Sequence, residues 1–137
     1  MESVKIYDTT LRDGTQGEKI SFTALDKLKI ARKLDDMGIH YIEGGWPGAS
    51  TKDWEFFQMA AKEPFKHSKM VAFCSTHKHK TSPQDDRQLQ AVVESGAPAG
   101  IVVGKSWDLH VTKILGIGLE DNIEMIRNTV AHLKQNN

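Results

Sequence analysis

Short apolar runs alternate with longer amphipathic segments along this chain. Each short run is rich in β-branched or aromatic residues, and a helical pattern of apolar positions follows before the next run begins. This order is typical of βα units, in which parallel strands are joined by helices. We predict strands over residues 4–7, 41–43, 70–74 and 101–103.

The first predicted helix has clear signals at both ends. Thr23, with Asp26 three residues later, predicts a capping box, and Gly38 predicts the end of the helix. Its apolar positions are expected to pack on the sheet and its Lys and Arg residues to face water. The expected apolar stripe contains Leu25, Leu28, Leu34 and Met37, with Ile30 and Ala31.

Prolines, glycines and apolar spacing set the limits of the other three predicted helices. The second is expected to begin near Thr51 and to end before Pro64. The third is expected to have Ser82 as its N-cap, Pro83 in its first turn and Gly96 at its end. The fourth is expected over about residues 120–134, and its apolar side contains Ile123, Ile126, Val130 and Leu133.

Four βα units in 137 residues are half of an eight-unit barrel, which usually needs about 250 residues. We therefore predict an α/β chain whose four units form half of a (βα)8 TIM barrel with a parallel sheet. No linker divides residues 1–137, which are expected to form one truncated catalytic domain without a second domain. Half a barrel leaves the first and fourth strands with free edges, which favour pairing with further strands or with another copy.

Composition narrows the classes of function. With 39% hydrophobic and 26% charged residues, the chain has the balance of a soluble globular protein. The 18 basic and 18 acidic residues cancel, so nucleic acid and anionic membranes are not expected partners. No apolar stretch approaches the roughly 20 residues that span a bilayer. The single cysteine, Cys74, and the absence of a signal-peptide pattern favour the cytoplasm.

The densest polar cluster, residues 8–17, directly follows the first predicted strand. Reactive side chains of βα barrels lie at this end of the strands. Asp13 offers a hard carboxylate oxygen to a divalent cation, and Arg12 offers a permanent charge suited to an enolate or a carboxylate. The alternative is an ordinary turn in which Asp8, Arg12 and Asp13 form ion pairs without a ligand.

Three segments carry a family resemblance: YDTTLRDGTQ at residues 7–16, GGWPG at 44–48 and GKSWDLHV at 104–111. The first is similar to the signature of the metal-dependent family that includes citramalate synthase, isopropylmalate synthase, homocitrate synthase and hydroxymethylglutaryl-CoA lyase. The other two resemble the citramalate synthase branch. The resemblance spans nearly the whole chain and places it in the N-terminal half of the catalytic barrel.

This resemblance implies a pyruvate-carboxyltransferase-like barrel that joins acetyl-CoA to a 2-oxo acid in branched-chain amino-acid biosynthesis. Pyruvate is the expected 2-oxo acid, and an isopropylmalate or homocitrate synthase type of condensation is the alternative. By position, Asp13 would ligate the divalent metal (Mg, Mn or Zn). Arg12 would be catalytic, stabilising charge on the substrate oxygen, and would bind substrate together with Gln16.

Two further residues are candidates because they follow predicted strands. Glu43 is expected to be catalytic, by contacting substrate or by orienting Arg12, and the alternative is a structural carboxylate paired with a lysine. His110 is expected to bind substrate, and the alternative is an ordinary surface histidine. Lys105 could attract the phosphates of CoA or a substrate carboxylate.

Three other residues resemble functional residues, but we predict no catalytic or metal-binding role for them: His77, His79 and Cys74. His77 and His79 have the spacing of a metal pair, but the family resemblance places such a pair late in the barrel, on a strand beyond this chain. Cys74 is expected to be a buried, inert thiol, because the sequence places no histidine beside it. Trp46 fits packing as well as binding.

One carboxylate binds a metal weakly, so the chain alone is expected to be an inactive part of a larger synthase. Two other hypotheses remain open. One is a half-barrel that forms a homo-oligomer through its exposed sheet edges and binds a small anion or a metal. The other is a non-catalytic α/β module.

Overall fold

A computed structural model describes residues 4–136, and its centre is a four-stranded parallel sheet. The strands β1 to β4 lie side by side in chain order, which is the order of a βα barrel. Their bounds are Tyr7–Asp8, Tyr41–Gly45, Lys69–Ser75 and Ala99–Val103. The helices α1 to α4 are Ala24–Asp36, Thr51–Ala60, Arg87–Glu94 and Leu119–Gln135.

Each connection between strands leads to the adjacent position in the sheet. Tyr7 lies opposite Tyr41, and the register between β2 and β3 shifts between Glu43 and Gly45. Within residues 4–136, β1 pairs only with β2 and β4 pairs only with β3. The predicted free edges of the first and fourth strands are therefore confirmed for this part of the chain. The first strand is shorter than predicted, since it begins at Tyr7.

Helix α1 is capped as predicted, and four of its six predicted stripe residues, Leu28, Ala31, Ile30 and Leu34, are buried in or packed against the core. Thr23 and Asp26 form the capping box. Leu25 and Met37 are exposed, contrary to the predicted stripe. The prediction that every basic residue of this helix faces water is also wrong, because Lys27 is only 3% exposed. The buried face consists of Ala24, Lys27, Leu28, Ala31 and Asp35.

Helix α3 begins later than predicted. Residues Pro83–Asp85 form a separate 3-10 turn, and the N-cap of α3 is Asp86 rather than Ser82. The Asp86 carboxylate accepts hydrogen bonds from the backbone N–H groups of Gln88 at 2.9 Å and Leu89 at 3.3 Å. Two donors on one carboxylate make a stronger cap than the Ser82 hydroxyl, which bonds to Asp85 instead.

Helix α4 is attached to the sheet by polar side chains that the pattern did not reveal. Ile123 and Val130 are exposed, whereas Asn122 and Thr129 are buried. The Asn122 amide donates to the carbonyl oxygen of Lys105 at 2.8 Å. The Thr129 hydroxyl oxygen accepts from the N–H of His77 at 3.1 Å. These bonds join α4 to the segments that follow β3 and β4. A π-helical segment, His110–Leu115, precedes α4 and was not predicted.

The core lies between the sheet and the helices. Successive side chains of a strand point to opposite faces. In β3, Met70, Ala72 and Cys74 are buried against the helices, whereas Phe73 lies on the inner face of the sheet with Arg12 and Trp46. Among residues 4–136, no helix combines the length and the apolar character that crossing a membrane requires.

Candidate functional site

The loop after β1 is a tight turn that projects two charged side chains. The carbonyl oxygen of Thr9 accepts three backbone hydrogen bonds, from Arg12 at 3.1 Å, Asp13 at 2.9 Å and Gly14 at 3.1 Å. Leu11, at the centre of the turn, is fully buried in the core. The backbone of the turn is therefore fixed, and Arg12 and Asp13 leave it at the carboxyl end of β1.

Arg12 is held from two sides by neighbouring strands. Its Nε forms an ion pair with the carboxylate of Glu43, in the middle of β2. Its guanidinium carbon lies 4.3 Å from the centre of the Phe73 ring on β3, where the ring face attracts a cation. Its side chain nevertheless remains 23% exposed. The structure thus brings the two predicted residues Arg12 and Glu43 together and leaves part of the guanidinium accessible.

Glu43 is 1% exposed, and both of its oxygens are engaged. One oxygen accepts from Arg12, and the other accepts from the hydroxyl of Tyr7 at 2.7 Å. Burial, together with the hydrogen bond to the Glu43 carboxylate, raises the pKa of Tyr7 above its ordinary value, so this hydroxyl remains a donor. The partner of Glu43 is therefore Arg12 and not a lysine, which was the alternative, and its catalytic role stays a prediction. The sequence pattern did not point to Tyr7 as part of this site.

Asp13 lies beside Arg12, and its side chain is exposed to solvent. Its Oδ1 accepts from Nη1 of Arg12 at 2.9 Å, and its side chain is 60% exposed. Asp8 instead accepts from the N–H of Thr10 at 2.9 Å, within its own turn. Among residues 4–136, no three His, Cys, Asp or Glu residues are grouped so that they could hold a metal. Asp13 can therefore be one ligand of a divalent cation, and the other ligands would have to come from outside these residues.

Gln16 and His110 lie apart from the Arg12–Glu43 pair. Gln16 ends the 3-10 turn Gly14–Gln16 and is exposed. His110 begins the π-helical segment, and its ring lies 4.6 Å from the ring of Trp107. No hydrogen bond in the described part of the chain joins either residue to Arg12. Their substrate-binding roles therefore remain predictions.

A cavity of about 480 Å³ opens at the carboxyl ends of β3 and β4. Its apolar wall is formed by Trp46, Phe73 and Val103, and the rings of Trp46 and Phe73 meet edge to face at 5.2 Å. Lys105 lies on the same cavity and adds a positive charge. Phe73 thus contacts both the cavity and Arg12. Successive side chains of a strand point to opposite faces of the sheet, so Phe73 lies on the face away from that of the core-facing Cys74. This alternation could have identified Phe73 as a residue of the inner face from the sequence.

The two histidines after β3 have different surroundings. His77 is buried, and its Nδ1 lies 3.0 Å from the carbonyl oxygen of Lys78. His79 is exposed. Both line the cavity described above, whose rim also includes Lys78.

Cys74 is the buried thiol that was predicted. It is fully buried, and burial raises its pKa to about 12. A thiol with such a pKa is almost entirely protonated near neutral pH, so it is a poor nucleophile. Cys74 therefore belongs to the core.

Comparison with known proteins agrees with this architecture. A family model described as HMGL-like matches residues 3–137. The (R)-citramalate synthase of Aquifex aeolicus is 52% identical over 134 residues, which cover 98% of this chain and 25% of that protein. The (R)-citramalate synthase of Geobacter sulfurreducens is 48% identical over 136 residues, which cover 99% of this chain and 26% of that protein. The chain thus spans about a quarter of the length of these relatives.

A solved structure shows the same fold. The HMG-CoA lyase of Bacillus subtilis superposes with a TM-score of 0.71 at 18% identity, over 98% of this chain and 44% of the lyase chain. The predicted fold, four βα units that form part of a barrel, is thereby confirmed. The coverage also agrees with the predicted share of the barrel, since these four units correspond to somewhat less than half of the lyase chain.

Proposed function

Because the chain belongs to the HMGL-like family, we propose that it is the N-terminal part of the catalytic barrel of an (R)-citramalate synthase. Such an enzyme would join acetyl-CoA to pyruvate in branched-chain amino-acid biosynthesis. The observation that carries the proposal is the position of Arg12. Two neighbouring strands hold its guanidinium at the carboxyl end of the sheet, against the Phe73 ring that lines a cavity.

The chemistry of the condensation gives Arg12 its role. After a base removes a proton from the methyl group of an acetyl thioester, the resulting carbanion attacks the ketone carbon of a 2-oxo acid, and negative charge develops on the ketone oxygen before that oxygen takes up a proton. Water then hydrolyses the thioester and releases CoA. A fixed guanidinium stabilises that charge without the cost of reorganising water. Nε and one Nη1 hydrogen of Arg12 bind Glu43 and Asp13, which leaves other N–H groups for the substrate. Glu43 acts as a positioning residue in this scheme.

Asp13 suits one ligand position of a divalent metal, because it is an exposed carboxylate at the end of a barrel strand. When bound, Mg, Mn or Zn would polarise the ketone of the 2-oxo acid. A single carboxylate does not choose among these metals. The remaining ligands would come from barrel units outside residues 4–136.

The cavity at the carboxyl ends of β3 and β4 supports a small 2-oxo acid. The wall of Trp46, Phe73 and Val103 offers apolar surface to a short side chain, and Lys105 offers charge to the carboxylate. Arg12 reaches this wall through its contact with the Phe73 ring. We assign pyruvate on this basis. Longer 2-oxo acids, as in isopropylmalate or homocitrate synthesis, are the alternative substrates.

The turnover of a chimeric synthase that contains this chain tests the proposal. The first 134 or so residues of the Aquifex aeolicus synthase would be replaced by this chain, guided by their alignment over 134 residues. Release of the CoA thiol would be measured with acetyl-CoA, a divalent metal and one of three acids: pyruvate, 2-oxoisovalerate or 2-oxoglutarate. We expect pyruvate to give the highest kcat/KM. A preference for another acid would support the alternative condensations, and a folded chimera without turnover would oppose the proposal.

The open strand edges support a second candidate, a half-barrel that assembles with another copy. Within the described residues, the outer edges of β1 and β4 have no partner strand, and such edges favour pairing. Sedimentation of the isolated chain would test this. A stable dimer that binds a divalent metal and does not release CoA would support the homo-oligomer. A monomer that is inactive alone but active in the chimera would support the synthase.

A further inference from the structure

Helices α1 and α2 meet behind the candidate site through one buried ion pair. The Nζ of Lys27 on α1 forms an ion pair with Oδ1 of Asp53 on α2. The side chain of Lys27 is 3% exposed and that of Asp53 is 14% exposed. Replacing a buried ion pair with apolar residues is often neutral or stabilising, so such a pair has little value for stability alone. Its other contacts point to another role.

Both charged groups also bind the backbone of the turn that follows Glu43. Lys27 donates from Nζ to the carbonyl oxygen of Gly44 at 3.0 Å. The second carboxylate oxygen of Asp53 accepts from the N–H of Trp46 at 2.9 Å. The pair thus binds one acceptor and one donor of the same short segment, Gly44 to Trp46.

The two glycines of this segment fit closely against α2. A Cβ at Gly44 would lie 2.3 Å from the Phe56 ring, and a Cβ at Gly45 would lie 2.4 Å from the carboxyl carbon of Asp53. Gly45 also has a φ of +143°, which disfavours residues other than glycine. The Gly44–Trp46 segment is therefore held at van der Waals distance from α2, with the ion pair fixing its direction.

We propose that Lys27 and Asp53 are positioning residues that hold the Gly44–Trp46 turn and thereby set the Trp46 ring in the wall of the cavity. Trp46 meets Phe73, and Phe73 lies under the guanidinium of Arg12. Glu43, which holds Arg12 directly, immediately precedes the turn. The catalytic meaning of this arrangement rests on the proposed function, whereas its effect on Trp46 does not.

Fluorescence of Trp46 tests the role in the chain itself. Trp54 and Trp107 would first be replaced by phenylalanine, so that Trp46 is the single emitter. The double substitution Lys27→Met with Asp53→Leu removes both charges and keeps apolar volume, so the core can remain packed. We expect a red-shifted Trp46 emission and about a twofold rise in acrylamide quenching, as local opening exposes the ring. Far-UV circular dichroism would report whether the fold persists.

The matched control is the exposed pair of Arg32 with Glu63, which connects α1 to the segment after α2. Arg32→Met with Glu63→Leu should leave Trp46 emission unchanged. Unchanged emission and quenching in a folded Lys27→Met/Asp53→Leu variant would overturn the proposal. The single variant Lys27→Arg keeps Asp53 and a charged donor beside it. Its acrylamide quenching should therefore be closer to that of wild type than the quenching of Lys27→Met/Asp53→Leu is.

Hydrogen exchange in the unsubstituted chain gives a second test that does not depend on the folding of a variant. The Trp46 amide should be protected as strongly as the amides of β2, because it donates to a largely buried carboxylate. Exchange at the rate of an unstructured amide would overturn the proposal. Neither measurement requires turnover, so a failure of the synthase assignment and a failure of this role are distinguishable.

Discussion

Glu43 in β2 binds Nε of Arg12 in the loop after β1, so one guanidinium is fixed between two neighbouring βα units. The carboxylate is 1% exposed, whereas part of the Arg12 side chain reaches solvent. The buried carboxylate of Glu43 therefore has a structural role, whereas the partly exposed guanidinium of Arg12 can bind a ligand. The predictions for Glu43 and Tyr7 depend on this division of roles.

Glu43→Gln should weaken both the fold and the orientation of Arg12. The substitution leaves the Arg12 charge without its buried partner, and we expect a loss of about 2–3 kcal/mol in the free energy of unfolding. Urea denaturation measures this loss. Glu63→Gln is the control, because its bonds to Arg32 lie at the surface and should matter far less. Equal losses in the two variants would contradict the structural role of Glu43.

Tyr7→Phe should remove the hydroxyl that donates to Glu43 while keeping the ring. We expect a loss of about 1–2 kcal/mol, measured by urea denaturation at neutral pH. The raised pKa of Tyr7 adds a pH dependence, because the folded state keeps the proton that the unfolded state loses above its ordinary pKa of 10.0. The stabilising effect of Tyr7 is therefore complete below pH 10 and declines above it. If wild type and Tyr7→Phe lost stability in parallel above pH 10, the Tyr7–Glu43 bond would be contradicted.

Asp35 should make the fold sensitive to acid. Burial alone would raise its pKa, but three backbone N–H donors outweigh burial and lower the pKa below its ordinary value. These donors belong to Lys66, His67 and Ser68, at 2.8–2.9 Å from the carboxylate. The stabilisation is present above the ordinary pKa of 3.8 and is lost as pH falls through the lower folded value.

The neighbouring residue Asp36 provides the comparison for Asp35. Asp35→Asn should lower stability at neutral pH by about 2–3 kcal/mol and should flatten the acid dependence below pH 4. Asp36→Asn should have little effect, because its side chain is 67% exposed. Thermal melts of both variants between pH 2 and pH 7 measure the difference. An acid profile of Asp35→Asn identical to that of wild type would contradict the assignment.

Cys74 should react with thiol reagents only after unfolding. It is fully buried, and burial raises its pKa to about 12, so both access and thiolate are lacking in the folded chain. We expect alkylation by iodoacetamide at pH 8 to follow the urea unfolding curve. Rapid labelling of the native chain would mean that the core around β3 opens.

The fold could be predicted from the sequence because its signals are local. The alternation of strand and helix patterns, the Thr23–Asp26 capping box and the early motif at residues 7–16 each depend on adjacent residues. The errors concern side chains whose partners are distant in sequence. Lys27 was assigned to the surface because lysine is usually exposed, yet Asp53 and the carbonyl oxygen of Gly44 compensate its buried charge.

The candidate site was predictable only in part, for the same reason. Arg12 and Asp13 follow the first strand and Glu43 ends the predicted second strand, so the barrel rule placed them at one end of the sheet. Tyr7 and Phe73 also lie within strands, and only their contacts with Glu43 and Arg12 reveal their part in the site. The N-cap of α3 was missed because Ser82 and Asp86 both offer an acceptor for backbone N–H groups. The polar face of α4 was missed because its partners, Lys105 and His77, lie in other segments.

Turnover by the chimeric synthase, with and without Arg12, tests the central claim most directly. CoA release from acetyl-CoA and pyruvate would be compared among the chimera, its Arg12→Ala variant and its Arg32→Ala variant, all confirmed as folded by circular dichroism. We predict that Arg12→Ala lowers kcat/KM by roughly 100-fold or more, the size of effect expected for a lost oxyanion donor, and that Arg32→Ala has little effect. Full activity of the folded Arg12→Ala chimera would contradict the proposed role of Arg12.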